Sequence, residues 1–81
     1  MASFSEASKD GESLTEKEQA VLLKDEGNEF FFKKNFNKAI EKYSSAIAIY
    51  PDAVYYSNRA QCRIKNEDFG LAITDATEAL R

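Results

Sequence analysis

The sequence of 81 residues contains no histidine and only one cysteine, Cys62. Without a histidine or a cysteine pair, most metal sites and the common nucleophile–base arrangements of enzymes are excluded. A single cysteine also excludes an intrachain disulfide framework, which is compatible with a reducing compartment. The three glycines form no glycine-rich loop that could hold a phosphate. We therefore expect no catalytic site, no metal ion and no cofactor in this chain.

Long apolar runs and an excess of positive charge are also missing. No segment approaches the roughly 20 apolar residues of a membrane-spanning helix. The N-terminus, MASFSEASKDGES, lacks the basic start and apolar centre of a signal peptide. The formal net charge is −3, which argues against general nucleic-acid binding because that needs a basic surface. We expect binding to neither membrane nor nucleic acid.

Four helices are predicted after a polar lead-in. Residues 1–12 are rich in serine, alanine and charge, so we expect them to be disordered and the folded domain to cover 13–81. The β-branched residues are too few and scattered for strands, which makes the predicted fold class all-α. The predicted helices cover about 15–34, 36–50, 52–65 and 69 to the end.

Capping and turn residues set these boundaries. Ser13 with Glu16 fits a capping box, and Thr15 with Glu18 is a second candidate in the same place. Asn35 is expected to end the first helix, because asparagine tolerates the left-handed conformation. The second and third helices are expected to end at Pro51 and at the pair Asn66-Glu67.

An internal repeat organises the helices. Ala39 recurs as Ala72, and the same offset aligns Gly27 with Ala60. The repeating unit is a helix pair with small residues where the helices cross, which matches the tetratricopeptide signature in period and helix count. We expect two antiparallel helix pairs, at about 20–52 and 53–81, that form the start of a right-handed α-solenoid. The recurring motif is FxxAIxxYxxAI at 36–47 and FxxAIxxAxxAL at 69–80.

Three segments resemble one subgroup of tetratricopeptide-repeat domains over residues 20–81. These are the carboxylate-clamp domains, which bind the C-terminal EEVD tails of heat-shock protein 70 and 90 chaperones. The stretch FGLAITDATEAL resembles most the repeat domain of the serine/threonine protein phosphatase 5 type. The resemblance implies a cytoplasmic, also nuclear, interaction module that targets a larger phosphatase, whose catalytic domain would follow Arg81. The segments are GNEF at 27–30, AIEKY at 39–43 and YYSNRA at 55–60.

The resemblance implies that Lys24, Asn28 and Asn58 bind the carboxylates of the peptide terminus. In the family two more basic ligands come from a third repeat, and the chain ends at Arg81 before one, so we expect a partial clamp. Lys24 and Asn28 stack on one helix face and supply suitable N–H donors. Such a pair alone is usually solvated surface, and Asn58 could instead cap or bridge helices.

Three consecutive phenylalanines follow on the first helix, and they cannot all share one buried stripe. Phe30 is expected to pack inside the repeat. Phe32 lies four residues after Asn28, on or near the clamp face, with Phe31 at its edge. The family more often has lysine at the position of Phe32. Our hypothesis is that Phe31 and Phe32 contact apolar side chains of the ligand; the alternative is packing against a neighbouring helix or a second copy.

Three other residues are predicted to be structural. Arg59 and Arg63, one turn apart on another face, should be solvated or paired with acidic side chains. Cys62 should be a small buried residue.

A second function class is a structural or self-associating repeat fragment without tail binding. Repeat arrays usually need about three repeats and a polar capping helix. Here the last helix ends in Ala76, Ala79 and Leu80, with nothing to cover its outer stripe. Exposed apolar surface of this kind promotes pairing, so this alternative predicts a homodimer or a helix exchange through the Asn66 turn.

Overall fold

The structure, a computed structural model, describes residues 13–81, and these form four α-helices with no strand among them. The predicted all-α class is therefore confirmed, whereas the predicted disorder of 1–12 lies outside the described residues. Each helix packs against the next one in the chain, and neighbouring helices form antiparallel-type pairs. No helix in 13–81 is both long and apolar enough to cross a membrane. The helices are α1 Glu16–Phe32, α2 Phe36–Ile49, α3 Ala53–Lys65 and α4 Phe69–Ala79.

The first helix begins with a capping box at Thr15. Its Oγ1 accepts from the Glu18 N–H at 3.1 Å, and Glu18 Oε1 accepts from the Thr15 N–H at 2.9 Å. The Thr15–Glu18 candidate is therefore confirmed. The Ser13–Glu16 candidate is wrong, because with Thr15 as the N-cap the third helical residue is Glu18 rather than Glu16.

The turn between α1 and α2 reverses the chain at a left-handed lysine. Lys34 has a φ of 63°, and the N–H groups of Asn35 and Lys34 donate to the carbonyls of Phe30 (2.8 Å) and Phe31 (2.9 Å). These two bonds form a Schellman motif. The predicted left-handed Asn35 is wrong: its φ is −95°, and its Oδ1 caps α2 by accepting from the Lys38 N–H at 3.3 Å.

The same turn recurs in the second repeat, between α3 and α4. Glu67 also has a φ of 63°, and the N–H groups of Asp68 and Glu67 donate to the carbonyls of Arg63 (2.7 Å) and Ile64 (2.9 Å). The repeat therefore extends to the backbone conformation of the turn that closes each helix pair.

Two clusters of buried side chains hold the helices together. Gly27 is buried where α1 crosses α2, and a Cβ there would lie 2.6 Å from Cε1 of the buried Tyr43. The predicted small residue at the crossing is thus required by the Tyr43 ring. Cys62 is fully buried, as predicted, and burial raises the pKa of its thiol to about 11. The clusters are Ala20, Ala46 and Tyr55, and Ala39, Tyr43 and Cys62.

A buried carboxylate connects the second repeat to the first. Asp75 is only 2% exposed, and its two oxygens accept from Arg59 Nη2 at 2.8 Å and Nε at 2.9 Å. Arg63 Nε lies 3.3 Å from Asp75 Oδ2, and Arg59 Nη1 donates to Ser44 Oγ at 2.8 Å. Pairing of both arginines with an acidic residue is confirmed, and the network joins α2, α3 and α4.

Candidate ligand-binding cavity

A cavity of about 320 Å³ lies between α1, α2 and α3. Its size falls at the lower end of the range of ligand pockets. Four of the five site residues predicted from the sequence line it, and the fifth, Lys24, does not. The lining residues are Asn28, Phe31 and Phe32 of α1, Tyr43 of α2, and Asn58 and Gln61 of α3.

The amide of Asn28 is oriented by a hydrogen bond from the core. The Tyr43 hydroxyl donates to Asn28 Oδ1 at 2.5 Å. Burial, with a smaller contribution from Cys62, raises the pKa of Tyr43 to about 12, so its hydroxyl keeps the proton that it donates. Within residues 13–81 the two N–H groups of Asn28 donate to no protein acceptor. Asn28 can therefore act toward a ligand as a hydrogen-bond donor.

Lys24 lies one turn before Asn28 on α1, outside the cavity lining. Its Nζ is 2.9 Å from Oδ1 of Asp25, and its side chain is about a quarter exposed. An ion pair of this kind near solvent is weak, typically about 0–1 kcal/mol. A ligand carboxylate could compete with Asp25 for the ammonium.

The two phenylalanines in the lining have different surroundings. Phe32 is 81% exposed, so the alternative that it packs on a neighbouring helix of the chain is wrong. Phe31 is half-buried and meets the rings of Phe36 and Phe32 edge-on, at centroid distances of 5.5 and 6.0 Å. Phe31 thus packs on the core and lines the cavity, whereas Phe32 lines the cavity with a largely solvent-exposed ring. Phe30 packs against the cluster around Tyr43, as expected.

Asn58 and Gln61 approach the cavity from α3, one turn apart. Among the described residues neither side chain makes a hydrogen bond within the protein, so Asn58 does not bridge helices there. Sequence reasoning missed Gln61 and Tyr43 as lining residues. The repeat offset could have found Gln61, because it places Gln61 at the repeat position of Asn28.

The cavity is polar but uncharged. Its lining consists of three amides, a phenol and two phenyl rings, which together can donate and accept hydrogen bonds and cover apolar groups. Within residues 13–81 no group of three or more acidic, cysteine or histidine side chains could hold a metal ion. The arrangement therefore suits an extended ligand with oxygen acceptors next to an apolar side chain.

Comparisons with known proteins place this chain among repeat proteins. Human mitochondrial import receptor subunit TOM34 is 46% identical over 65 residues, which is 79% of this chain and 21% of that protein. Human serine/threonine-protein phosphatase 5 is 40% identical over 63 residues, 76% of this chain and 13% of the phosphatase. Protein unc-45 homolog B of Xenopus laevis is 40% identical over 67 residues, 78% of this chain and 7% of that protein. No family model and no solved structure matches the chain.

The helix pairs, their repeat register and these relatives identify the chain as a member of the tetratricopeptide-repeat family. The predicted likeness to phosphatase 5 is confirmed, although the identity to TOM34 is higher, 46% against 40%. The chain spans about a fifth or less of the length of these relatives. Its described residues form repeat helices and include no catalytic domain.

Proposed function

We propose that the chain is a protein-interaction module that binds the C-terminal EEVD-type tail of heat-shock protein 70 and 90 chaperones through a partial carboxylate clamp. The observation that supports this most is the shared cavity of Asn28, Asn58, Phe31 and Phe32. It combines donors for carboxylate oxygens with apolar surface beside them. Hydrogen bonds to a charged group are the stronger kind, about 1.5–3 kcal/mol each.

Each site residue has a distinct role in this proposal. The N–H groups of Asn28, held by Tyr43, and of Asn58 donate to the terminal aspartate of the tail. Lys24 exchanges its partner Asp25 for a ligand carboxylate and supplies the positive charge. The two basic ligands of a third repeat have no counterpart in 13–81, so we expect affinity at least about two orders of magnitude below that of a complete clamp.

The apolar part of the site serves the residues before the terminal aspartate. The exposed ring of Phe32 and the part of Phe31 that lines the cavity would cover valine or methionine side chains of the tail. Covering such a side chain contributes roughly 25 cal/mol for each Å² removed from water.

The wider role is inferred from the likeness to phosphatase 5, which is named as a serine/threonine phosphatase. We propose that this chain is the targeting domain of such an enzyme and that it acts in the cytoplasm and nucleus. Fluorescence imaging of the tagged intact protein checks the location, and accumulation in mitochondria would contradict it.

Calorimetric titration with a peptide ending in Met-Glu-Glu-Val-Asp tests the proposed clamp. We expect the peptide acid to bind at least tenfold more tightly than its C-terminal amide, and Lys24→Ala to abolish that preference. Phe32→Ala should weaken binding of both peptides severalfold. Phe69→Ala removes an equally aromatic, exposed side chain from α4 and serves as its control. Equal binding of acid and amide by the unsubstituted chain would contradict the clamp.

A second candidate function, self-association, is favoured by the outer face of α4. Ile73 and Leu80 are 67% and 89% exposed. Their counterparts in the first repeat, Ile40 and Ile47, are half-buried against clusters that include α3 residues. The face of α4 thus lacks the helix that α3 provides for α2, and a second copy of the chain would cover it.

Sedimentation equilibrium tests this self-association. We expect a concentration-dependent dimer that Ile73→Lys and Leu80→Lys convert to monomer, while Leu22→Lys on the exposed side of α1 does not. Exchange of α4 between copies would also have to open the turn at Asn66, whose Nδ2 donates to Asn37 Oδ1 at 2.9 Å. A monomer at all concentrations would contradict both forms.

A further inference from the structure

Gln61 is a cavity residue to which the proposed clamp gives no role. It lies one turn after Asn58 on α3 and is exposed, whereas Asn58 is half-buried. Both line the same cavity. The longer and more accessible amide therefore lies at the rim of the cavity, with its side chain available to a ligand.

The order of side chains along the cavity distinguishes its two ends. Because consecutive helices reverse direction at short turns, α1 and α3 run the same way. Lys24 lies one turn before Asn28 on α1, while Phe31 lies one turn after it and Gln61 one turn after Asn58. Gln61 is therefore at the phenylalanine end of the cavity, away from the lysine.

The hydrogen-bonding capacity of Gln61 matches that of a peptide group. Within 13–81 its amide makes no protein hydrogen bond, so both its N–H donors and its oxygen acceptor remain for a ligand. Asn28 differs, because its oxygen already accepts from Tyr43. A side chain that can donate and accept at once suits a backbone N–H and C=O, whereas a carboxylate only accepts.

We propose that Gln61 is a ligand-binding residue that hydrogen-bonds the main chain of the peptide one or two residues before its terminal carboxylate. This inference rests on the proposed clamp and adds a hydrogen-bonding contact to the main chain of the extended peptide. Gln61 contributes affinity without distinguishing a free carboxylate from an amide. Lys24 contributes that distinction.

The test is calorimetric titration of Gln61→Leu, which keeps the side-chain volume and removes its hydrogen bonds. Loss of neutral hydrogen bonds should weaken binding of the Met-Glu-Glu-Val-Asp acid about three- to tenfold. The ratio of acid to amide affinity should stay unchanged, in contrast to Lys24→Ala. Gln19→Leu, the same substitution at an exposed position of α1 outside the cavity, is the control; it removes only a bond from Gln19 Nε2 to the Leu14 carbonyl at 3.3 Å, away from the cavity.

The possible outcomes separate this inference from the proposed function. If the unsubstituted chain binds the acid, and circular dichroism shows that Gln61→Leu is folded but binds as tightly as Gln19→Leu, the role of Gln61 is wrong and the clamp stands. If Gln61→Leu removes the preference for the acid, Gln61 contacts the carboxylate and the main-chain assignment is overturned. If the unsubstituted chain binds neither peptide, both proposals fail.

Discussion

At the scale of single residues, the contact between Gly27 and Tyr43 determines how Asn28 is held. A glycine in mid-helix normally costs up to about 1 kcal/mol relative to alanine. Here the absent side chain lets the buried Tyr43 ring lie against α1 and donate to Asn28. Gly27 thus lowers the stability of α1 locally, but it allows the Tyr43 hydroxyl to orient the amide of Asn28 in the cavity.

We predict that Gly27→Ala destabilises the fold. Its Cβ would lie 2.6 Å from the Tyr43 ring, and overpacking of this kind costs about 1–3 kcal/mol. Better helix propensity offsets about 1 kcal/mol, so the net loss should be up to about 2 kcal/mol in urea denaturation. Gly70→Ala is the control, because a Cβ there meets nothing within 4 Å and should stabilise. Equal stabilisation by both substitutions would refute the contact.

The buried phenol of Tyr43 and the buried thiol of Cys62 predict how stability changes in alkali. Burial raises the pKa of Tyr43 from 10.0 to about 12 and that of Cys62 from 9.0 to about 11. The unfolded chain therefore loses these protons first, so the stabilisation is fully present below about pH 9 and is lost as the pH rises toward 12. Urea denaturation at stepped pH measures this. Cys62→Ala should delay the loss to above about pH 10, the ordinary pKa of tyrosine, and an unchanged profile would contradict the assignment to Cys62.

At the scale of elements, the two helix pairs are held by charge pairs of opposite polarity. In the first pair Lys42 of α2 lies 3.1 Å from Glu26 of α1. The counterparts in the second repeat are Asp75 of α4 and Arg59 of α3, with the charges reversed. The first pair is partly exposed, Lys42 by 35% and Glu26 by 53%, whereas Asp75 is buried. The same position therefore contributes very differently to stability in the two repeats.

We predict that Asp75→Ala lowers the free energy of unfolding by about 3–5 kcal/mol, because it leaves Arg59 and Arg63 largely buried without their carboxylate. Lys42→Ala, at the equivalent position of the first repeat, should cost about 1 kcal/mol or less. Chemical denaturation of both variants measures the difference. Similar losses of unfolding free energy in both variants would contradict the claim that burial makes the Asp75 pair the more stabilising one.

The helices could be predicted from the sequence, but the conformations of the turn residues could not. Apolar periodicity and the internal repeat predict four helices, because both report which faces are buried. They do not decide which turn residue takes a positive φ. Asparagine is the expected residue from its intrinsic preference, but Asn35 caps α2 instead and the adjacent Lys34 is left-handed. The hydrogen bond that Asn35 Oδ1 accepts from the Lys38 N–H therefore outweighs the preference of asparagine for the left-handed conformation.

At the scale of the whole molecule, the cavity forms where three helices meet. The resemblance predicts Asn28 and Asn58, and helix spacing alone places Phe31 and Phe32 on or near the same face. It could not predict the Tyr43 hydroxyl bond or the Lys24–Asp25 pair, because these depend on rotamers and on packing between helices. The cavity's uncharged lining is likewise a property of the assembled fold.

The most direct test of the carboxylate site is nuclear magnetic resonance of side-chain amides in the ¹⁵N-labelled protein during titration with the Met-Glu-Glu-Val-Asp acid. The resonances of Asn28 and Asn58 should shift in proportion to peptide bound, and those of Asn35 and Asn66, at the turns, should not. The C-terminal amide of the peptide, which we expect to bind at least tenfold more weakly, should shift Asn28 and Asn58 much less at the same peptide concentration. Binding without shifts at Asn28 and Asn58 would contradict a carboxylate site in this cavity.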